Sequence, residues 1–164
     1  MNERYIRQTM IPGIGEAGQE KLKNAKVLIV GIGGLGSPIS IYLTAAGVGQ
    51  IGLIDDDIVS KSNLQRQILY TEAEIGQSKV ECACRRLSAL NSSTRFETYP
   101  NRFTPDNANR LVSTYDIIVD GCDNATTRYL IDDVCSRFKK PYVYGSISEF
   151  RGQAYEFNYR GGTR

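Results

Sequence analysis

The segment Gly31-Ile32-Gly33-Gly34-Leu35-Gly36 fits the pattern G-x-G-x-x-G, directly after a short apolar run and ahead of a helical pattern. In that setting backbone amides and a helix N-terminus can meet a phosphate group. Asp55, at the C-terminal end of the next apolar run, is positioned to take ribose hydroxyls. The glycine pattern alone does not separate a dinucleotide from ATP. A close helix-strand packing turn without a ligand would use the same glycines.

The stretch that follows, from Asp55-Asp56-Asp57 through Ser62-Asn63-Leu64-Gln65-Arg66-Gln67, carries amide, hydroxyl and guanidinium groups in a long loop between strand and helix. Loops of that length are usually functional. Arg66 offers a fork of donors suited to phosphate oxygens, Asn63 can donate an amide, and Lys79 approaches from the start of the next helix. Taken singly, each cation is more often a solvated surface residue; converging on one sheet edge, they suit a triphosphate. A second acidic position, Asp123, follows the apolar run that ends Val119-Asp120. On the carboxyl edge of a parallel sheet it can hold Mg²⁺ against phosphates. Helix capping by Asp123 or Asn124 is the alternative use of the same position. Cys122 lies nearby without an obvious base, so a nucleophilic role has little to support it.

The composition removes several classes of chemistry. With no His among 164 residues, the chain cannot run a Ser-His-Asp or Cys-His relay or build an HExxH zinc site. Catalysis must rest on carboxylates, cations and backbone. Twenty Lys+Arg against 18 Asp+Glu give a net charge of +2, short of the excess a dedicated nucleic-acid binder shows. The four cysteines, Cys82, Cys84, Cys122 and Cys135, form no C-x-x-C pair and read as free thiols. The start lacks a signal-peptide core, and there is no apolar run long enough to span a bilayer. The expectation is a cytoplasmic protein with no membrane and no nucleic-acid partner.

These residues need a scaffold that brings strand ends together. Lys26 to Val30 is short, β-branched and continuous, as in a strand buried on both faces. A helix follows from Leu35 to Ala46, with Gly47 as its stop. Gln50 to Ile54, Phe96 to Tyr99, Tyr115 to Val119 and Tyr142 to Tyr144 read as further strands, and Gln153 to Tyr159 as an antiparallel one. Helices are expected at about Val80 to Leu90, Asp106 to Ser113 and Ala125 to Phe138. The alternation predicts an α/β fold: a Rossmann-like, doubly wound, mostly parallel sheet with helices on both faces and an antiparallel strand toward the C-terminus. Length argues for a single domain over 1–164, with 1–24 as an N-terminal helical arm.

Taken together, the glycine segment, Asp55-Asp56-Asp57, Ser62 to Gln67, Gly76-Gln77-Ser78-Lys79 and Asp123-Asn124-Ala125-Thr126-Thr127-Arg128 resemble the ThiF/MoeB/HesA family. These are sulfur-carrier adenylyltransferases related to ubiquitin-activating enzymes, and the resemblance runs from Arg4-Tyr5-Ile6-Arg7-Gln8 to the end of the chain. It implies ATP and Mg²⁺ as cofactors. It also implies a small ubiquitin-like sulfur carrier as partner, whose C-terminal Gly-Gly carboxylate attacks the α-phosphate to give an acyl-adenylate and pyrophosphate. By the same resemblance Gly31, Gly33 and Gly34 lie against the nucleotide, Asp55 takes the ribose, and Asp57 belongs to the nucleotide site. Ser62, Asn63, Leu64, Gln65 and Arg66 line the phosphates, Lys79 neutralises charge, and Asp123 with Asn124 faces the metal and triphosphate. Arg7 reaches across a homodimer into the neighbouring site. Arg7, Arg66, Lys79 and Asp123 are the catalytic candidates, and Asp123 is the metal ligand.

The family pattern continues with two C-x-x-C pairs for a structural Zn²⁺ and a crossover segment, and those zinc ligands are absent from this chain. The expectation is a truncated chain rather than a natural minimal form. The motifs Asp55-Asp56-Asp57 and Gln67-Ile68-Leu69-Tyr70 look closer to the thiamin branch than to the molybdopterin one. Two other readings remain open. A nicotinamide-dependent oxidoreductase would use the glycine segment and Asp55, and a noncatalytic nucleotide-binding protein would bind ATP without turnover.

Overall fold

Three of the five parallel strands share one sequence habit: a run of branched apolar residues with no alternation, which must be covered from both sides. In the computed structural model, which describes residues 3–159, they form the centre of one six-stranded sheet of order β3-β2-β1-β4-β5-β6. The strands are β1 (Lys26–Val30), β2 (Gln50–Ile54), β3 (Arg95–Tyr99), β4 (Ile117–Asp120), β5 (Tyr142–Ser148) and β6 (Arg151–Phe157). The first five are parallel, and β6 runs antiparallel to β5.

Successive residues of a strand point to opposite faces, and the two faces have separate cores. Val27, Ile29, Ile51 and Leu53 pack with α3 (Gly36–Ala46) and α4 (Lys79–Leu90) through Ile39, Val80, Ala83 and Leu87. Leu28, Val30, Ile54 and Ile118 pack with α5 (Pro105–Thr114) and α6 (Ala125–Phe138) through Leu111, Val112, Ile131 and Val134. Each such burial contributes about 1.5–3 kcal/mol. The expected doubly wound sheet with helices on both faces is therefore the observed one. The strand order reverses between β1 and β4, and in open α/β sheets that reversal opens a crevice at the carboxyl ends of the strands.

The N-terminal arm folds as α1 (Ile6–Thr9) and α2 (Gly15–Asn24). Residues 1–2 of that arm and residues 160–164 at the other end lie outside the described residues. Gly47 ends α3 in the left-handed conformation, φ 88°, as its position predicts. Two boundaries differ from expectation. Tyr115 is the extended residue that closes α5, its side chain fully buried, and Asp116 accepts the Lys26 N–H through its carboxylate, so β4 starts two residues late. The final strand lies earlier than Gln153–Tyr159. The turn at Glu149 and Phe150, with Glu149 at φ 55°, sets Ser148 opposite Arg151 and extends β5 to match.

Candidate functional site

The glycine segment leaves β1 at the crevice. Gly31 donates its N–H to the Ile54 carbonyl (2.9 Å) and adopts φ +86°. A Cβ there would stand 2.9 Å from the Cys122 backbone nitrogen, so the position demands glycine twice, by conformation and by space. The turn after β1 and the loop after β4 thus touch backbone to backbone. Beyond the turn, α3 opens with no side-chain cap; the Ser37 N–H is taken by the Gly33 carbonyl (3.0 Å) and Pro38 has none, while the N–H groups of Gly33 and Gly34 have no hydrogen-bond partner among the described residues and remain for an incoming acceptor.

Asp55 clamps this turn. One carboxylate oxygen accepts the Ile32 N–H (2.7 Å) and the other the Asp57 N–H (2.9 Å). A carboxylate has about four acceptor sites, so this half-buried group keeps capacity for hydroxyl donors. From the other side the buried Tyr70 hydroxyl donates to the Ile32 carbonyl (2.7 Å). Burial pushes that phenol up, and the nearby Asp55 charge pushes it in the same direction, so it stays a donor.

The long loop is pinned at its base by Val59 N–H to Gln77 carbonyl and Gly76 N–H to Val59 carbonyl, each 2.9 Å. Lys79, only 3% exposed, reaches the Asp57 carboxylate at 2.7 Å, and its backbone N–H bonds the Asp57 carbonyl (3.0 Å). Asp57, expected at the nucleotide, is thus the partner of Lys79. A short 3-10 turn, Lys61–Asn63, carries the next group. Ser60 donates to the Asn63 side-chain oxygen (2.8 Å), Ser62 and Gln65 are exposed, and Leu64 packs on the core beneath. Arg66 folds over Gly34: its Cγ, Cδ and Nε lie 3.6–3.8 Å from where a Gly34 Cβ would stand. Among the described residues its guanidinium donates only a long bond to the Ser62 carbonyl (3.4 Å), and Arg66 is exposed. Gln67 is buried against Gly33, and its Oε1 has no hydrogen-bond partner among the described residues.

Across the crevice, Asn124 caps α6, its side-chain oxygen accepting the Thr127 N–H (2.9 Å). The capping alternative is thereby met by Asn124, whose amide NH₂ is not engaged by the cap. Asp123 is exposed, and its carboxylate has no hydrogen-bond partner among the described residues. The Cys122 thiol is buried and pushed up to about 12, first by burial and then by Asp120, so it stays protonated at neutral pH.

The structure therefore gathers Gly31, Gly33, Gly34, Asp55, Arg66 and the loop bearing Asp123 and Asn124 at one crevice, with the Asp57–Lys79 pair beside Asp55. Arg7 is not among them. Its helix is tied to the opposite end of the sheet, where Gln8 donates to the Ala46 carbonyl (3.1 Å) and Asn91 donates to the Tyr5 hydroxyl (2.8 Å), just before β2 begins. A five-residue strand separates the two ends by about 17 Å. Sequence reasoning missed Tyr70, Gln67 and Asp120 as site-shaping residues. Gln67 adjoins Arg66 in the motif, but Tyr70 and Asp120 have no spacing signal, because they meet their partners only through the fold.

All four cysteines are free, no group of three or more metal-ligating side chains converges among the described residues, and no described helix is long and apolar enough to cross a membrane. The ThiF family model matches residues 5–164. A sulfur carrier protein adenylyltransferase of Thermus thermophilus is 47% identical over 157 residues, covering 96% of this chain and 58% of that protein. A probable adenylyltransferase/sulfurtransferase MoeZ of Mycobacterium tuberculosis is 49% identical over 154 residues, covering 94% and 39%. A solved structure of E. coli MccB with ATP superposes with a TM-score of 0.80 at 32% identity, covering 89% of this chain and 45% of that one. The chain thus spans less than two thirds of the length of the curated relatives it matches.

Proposed function

Because this chain belongs to the ThiF family, we propose that it adenylates the C-terminal Gly-Gly carboxylate of a small ubiquitin-like sulfur carrier, using ATP with Mg²⁺ and releasing pyrophosphate. The observation that carries the reading is the crevice itself: Arg66 over Gly34, and Asp123 on a loop whose neighbour Cys122 touches Gly31. A relative named as an adenylyltransferase and a neighbour solved with ATP support it. Residues 1–164 would act as one ATP-binding unit with 1–24 as its arm. The four free thiols suit a reducing cytoplasm.

The residues present fit a magnesium nucleotide on two counts. The N–H groups of Gly33 and Gly34 have no hydrogen-bond partner among the described residues, and the Asp123 carboxylate is exposed and likewise without one. Asp55 would accept the ribose hydroxyls. Ser62, Asn63, Leu64, Gln65 and Arg66 would line the triphosphate, Lys79 would add charge, and Asp123 with Asn124 would hold Mg²⁺, which when bound neutralises phosphate oxygens.

The carrier carboxylate is ionised at neutral pH, so its attack on the α-phosphorus needs no general base, and the absence of His is no obstacle. An oxygen of that carboxylate forms the new P–O bond while the bond to the β-phosphate breaks, and pyrophosphate leaves with the electron pair. The chain's own part is alignment and neutralisation of the charge that grows toward pyrophosphate, by Arg66 and Lys79. Arg7 would contribute from the neighbouring subunit of a homodimer, since its own helix stands at the far end of the sheet. Thiamin biosynthesis is the pathway we assign, with a molybdopterin-synthase carrier as the other candidate.

The test is exchange of labelled pyrophosphate into ATP with Mg²⁺ and a panel of Gly-Gly-ending carriers. Exchange that requires a carrier is the expected result, with the thiamin-type carrier preferred. Absence of exchange with every carrier, together with NADH binding that ATP does not displace, would favour an oxidoreductase instead.

A further inference from the structure

We infer that Arg128 is the positioning residue of this site: its guanidinium fixes the loop between β4 and α6 against β5 and so determines where the Asp123 carboxylate stands. The consequence for metal binding rests on the proposed role of Asp123.

Arg128 lies in the first turn of α6, and its side chain is only 21% exposed. It turns back over its own loop. Nη2 donates to the Cys122 carbonyl (2.7 Å) and to the Gly145 carbonyl on β5 (3.0 Å), and Nη1 donates to the Tyr144 hydroxyl (2.8 Å). The guanidinium carbon sits 4.8 Å from the centre of the Tyr144 ring. Nε faces the Asp120 carboxylate at 3.7 Å. Asp120 is fully buried at the end of β4, and its other oxygen accepts the Cys122 N–H (3.0 Å). Cys122 is therefore gripped at its N–H by Asp120 and at its carbonyl by Arg128. Two residues on, Asn124 is fixed by its cap on Thr127.

Asp123 lies between these two fixed points, and its carboxylate has no hydrogen-bond or ion-pair partner among the described residues. It is held without holding. A helix start alone would need only the Asn124 cap, whereas a buried Asp-Arg pair is a weak source of net stability because desolvation offsets attraction. Burial raises the Asp120 carboxyl from its ordinary range, in keeping with that cost. What the pair does supply is geometry: one planar fork ties together the last residue of β4, the loop and two residues of β5. A lysine has the charge but cannot make these bonds at once.

The experiment compares the wild type with Arg128→Met, Arg128→Lys, Tyr144→Phe and Asp123→Asn. It reads amide hydrogen exchange of residues 121–125 against the β1 and β2 segments, and the affinity for ATP with Mn²⁺ as the metal probe. Loss of charge-assisted bonds from Arg128→Met should speed loop exchange by about 10-fold or more. The β1 and β2 segments should be unchanged, and metal-dependent ATP binding should weaken to the level of Asp123→Asn. Arg128→Lys should recover less than half of either loss, and Tyr144→Phe should move both in the same direction by less. Unchanged loop exchange, exchange that rises throughout the chain, or Mn²⁺ dependence lost in Asp123→Asn but kept in Arg128→Met would each overturn the inference. Faster loop exchange with Mn²⁺ binding unaltered in both Arg128→Met and Asp123→Asn would support the hold on the loop and contradict the metal role of Asp123.

Discussion

The turn after β1 and the loop after β4 meet at Gly31 and Cys122, yet they are held by different means. The first takes its shape from a glycine, with a positive φ at Gly31 and an N–H to the Ile54 carbonyl, and is then pinned at the Ile32 N–H and carbonyl by the Asp55 and Tyr70 side chains. The second is shaped by side chains that come from elsewhere, Arg128 from α6 and Tyr144 from β5. One wall takes its shape at a single glycine and the other from an arginine fork, and both are pinned by side chains that only the fold brings near. At Gly31 the first wall tolerates no side chain, while the second can be loosened by changing one guanidinium.

The largest effect should come from removing the one cation that lies over the first wall. Arg66→Ala should lower carrier-dependent pyrophosphate exchange by about 10³-fold, the scale of single charge stabilisers in phosphoryl transfer, with thermal stability unchanged because Arg66 is exposed. Loss of exchange that tracks loss of folding would instead make Arg66 a packing residue for Gly34.

Gly31→Ala should strike the meeting point of the two walls. The positive φ and the 2.9 Å approach to Cys122 predict a loss of about 2 kcal/mol, or roughly 4–8 °C in melting temperature. Calorimetry would show whether the wall yields. Tyr70→Phe leaves the Ile32 carbonyl short of a donor in a buried place, and about 1 kcal/mol should be lost, roughly 2–4 °C.

The second wall offers a pH probe. The unfolded Cys122 thiol ionises near 9.0 and the folded one is pushed up to about 12. Between those values the unfolded chain has released the proton and the native chain has kept it, so stability falls as pH rises through that window. Cys135 is pushed in the same direction by burial. Denaturation at a series of pH values should show the decline beginning above about pH 9, and a thiol reagent at pH 8 should label Cys122 only as fast as the loop opens.

The contrast between the walls also explains what could be read before the structure. Gly31 and Gly34 announce themselves because a tight turn and a close approach leave few other residue types, and continuous apolar runs such as Lys26 to Val30 reveal a strand covered on both faces. Helix ends were legible where a local signal marks them, at Gly47 and at Asn124. The start of β4 was not, because Tyr115 is a strand-favouring residue joined to the apolar run, and the partners that hold Tyr115 and Asp116 outside the strand, Tyr99 and Lys26, are distant in the chain. Nor was the grip of Arg128, since a lone arginine in a helix reads as surface until Gly145 is brought beside it. The Asp57–Lys79 pair was hidden for the same reason: the two residues are joined by the return of the long loop, which the bridge between Ile58 and Ser78 closes.

Both walls of the crevice are proposed to serve one triphosphate. A calorimetric titration with a non-hydrolysable ATP analogue, with and without Mg²⁺, on wild type and Asp123→Asn, tests it most directly. Mg²⁺ should tighten binding to the wild type, Asp123→Asn should lose this gain, and metal-free binding through the glycine turn should be the same in both proteins. A gain from Mg²⁺ that persists undiminished in Asp123→Asn would contradict that proposal.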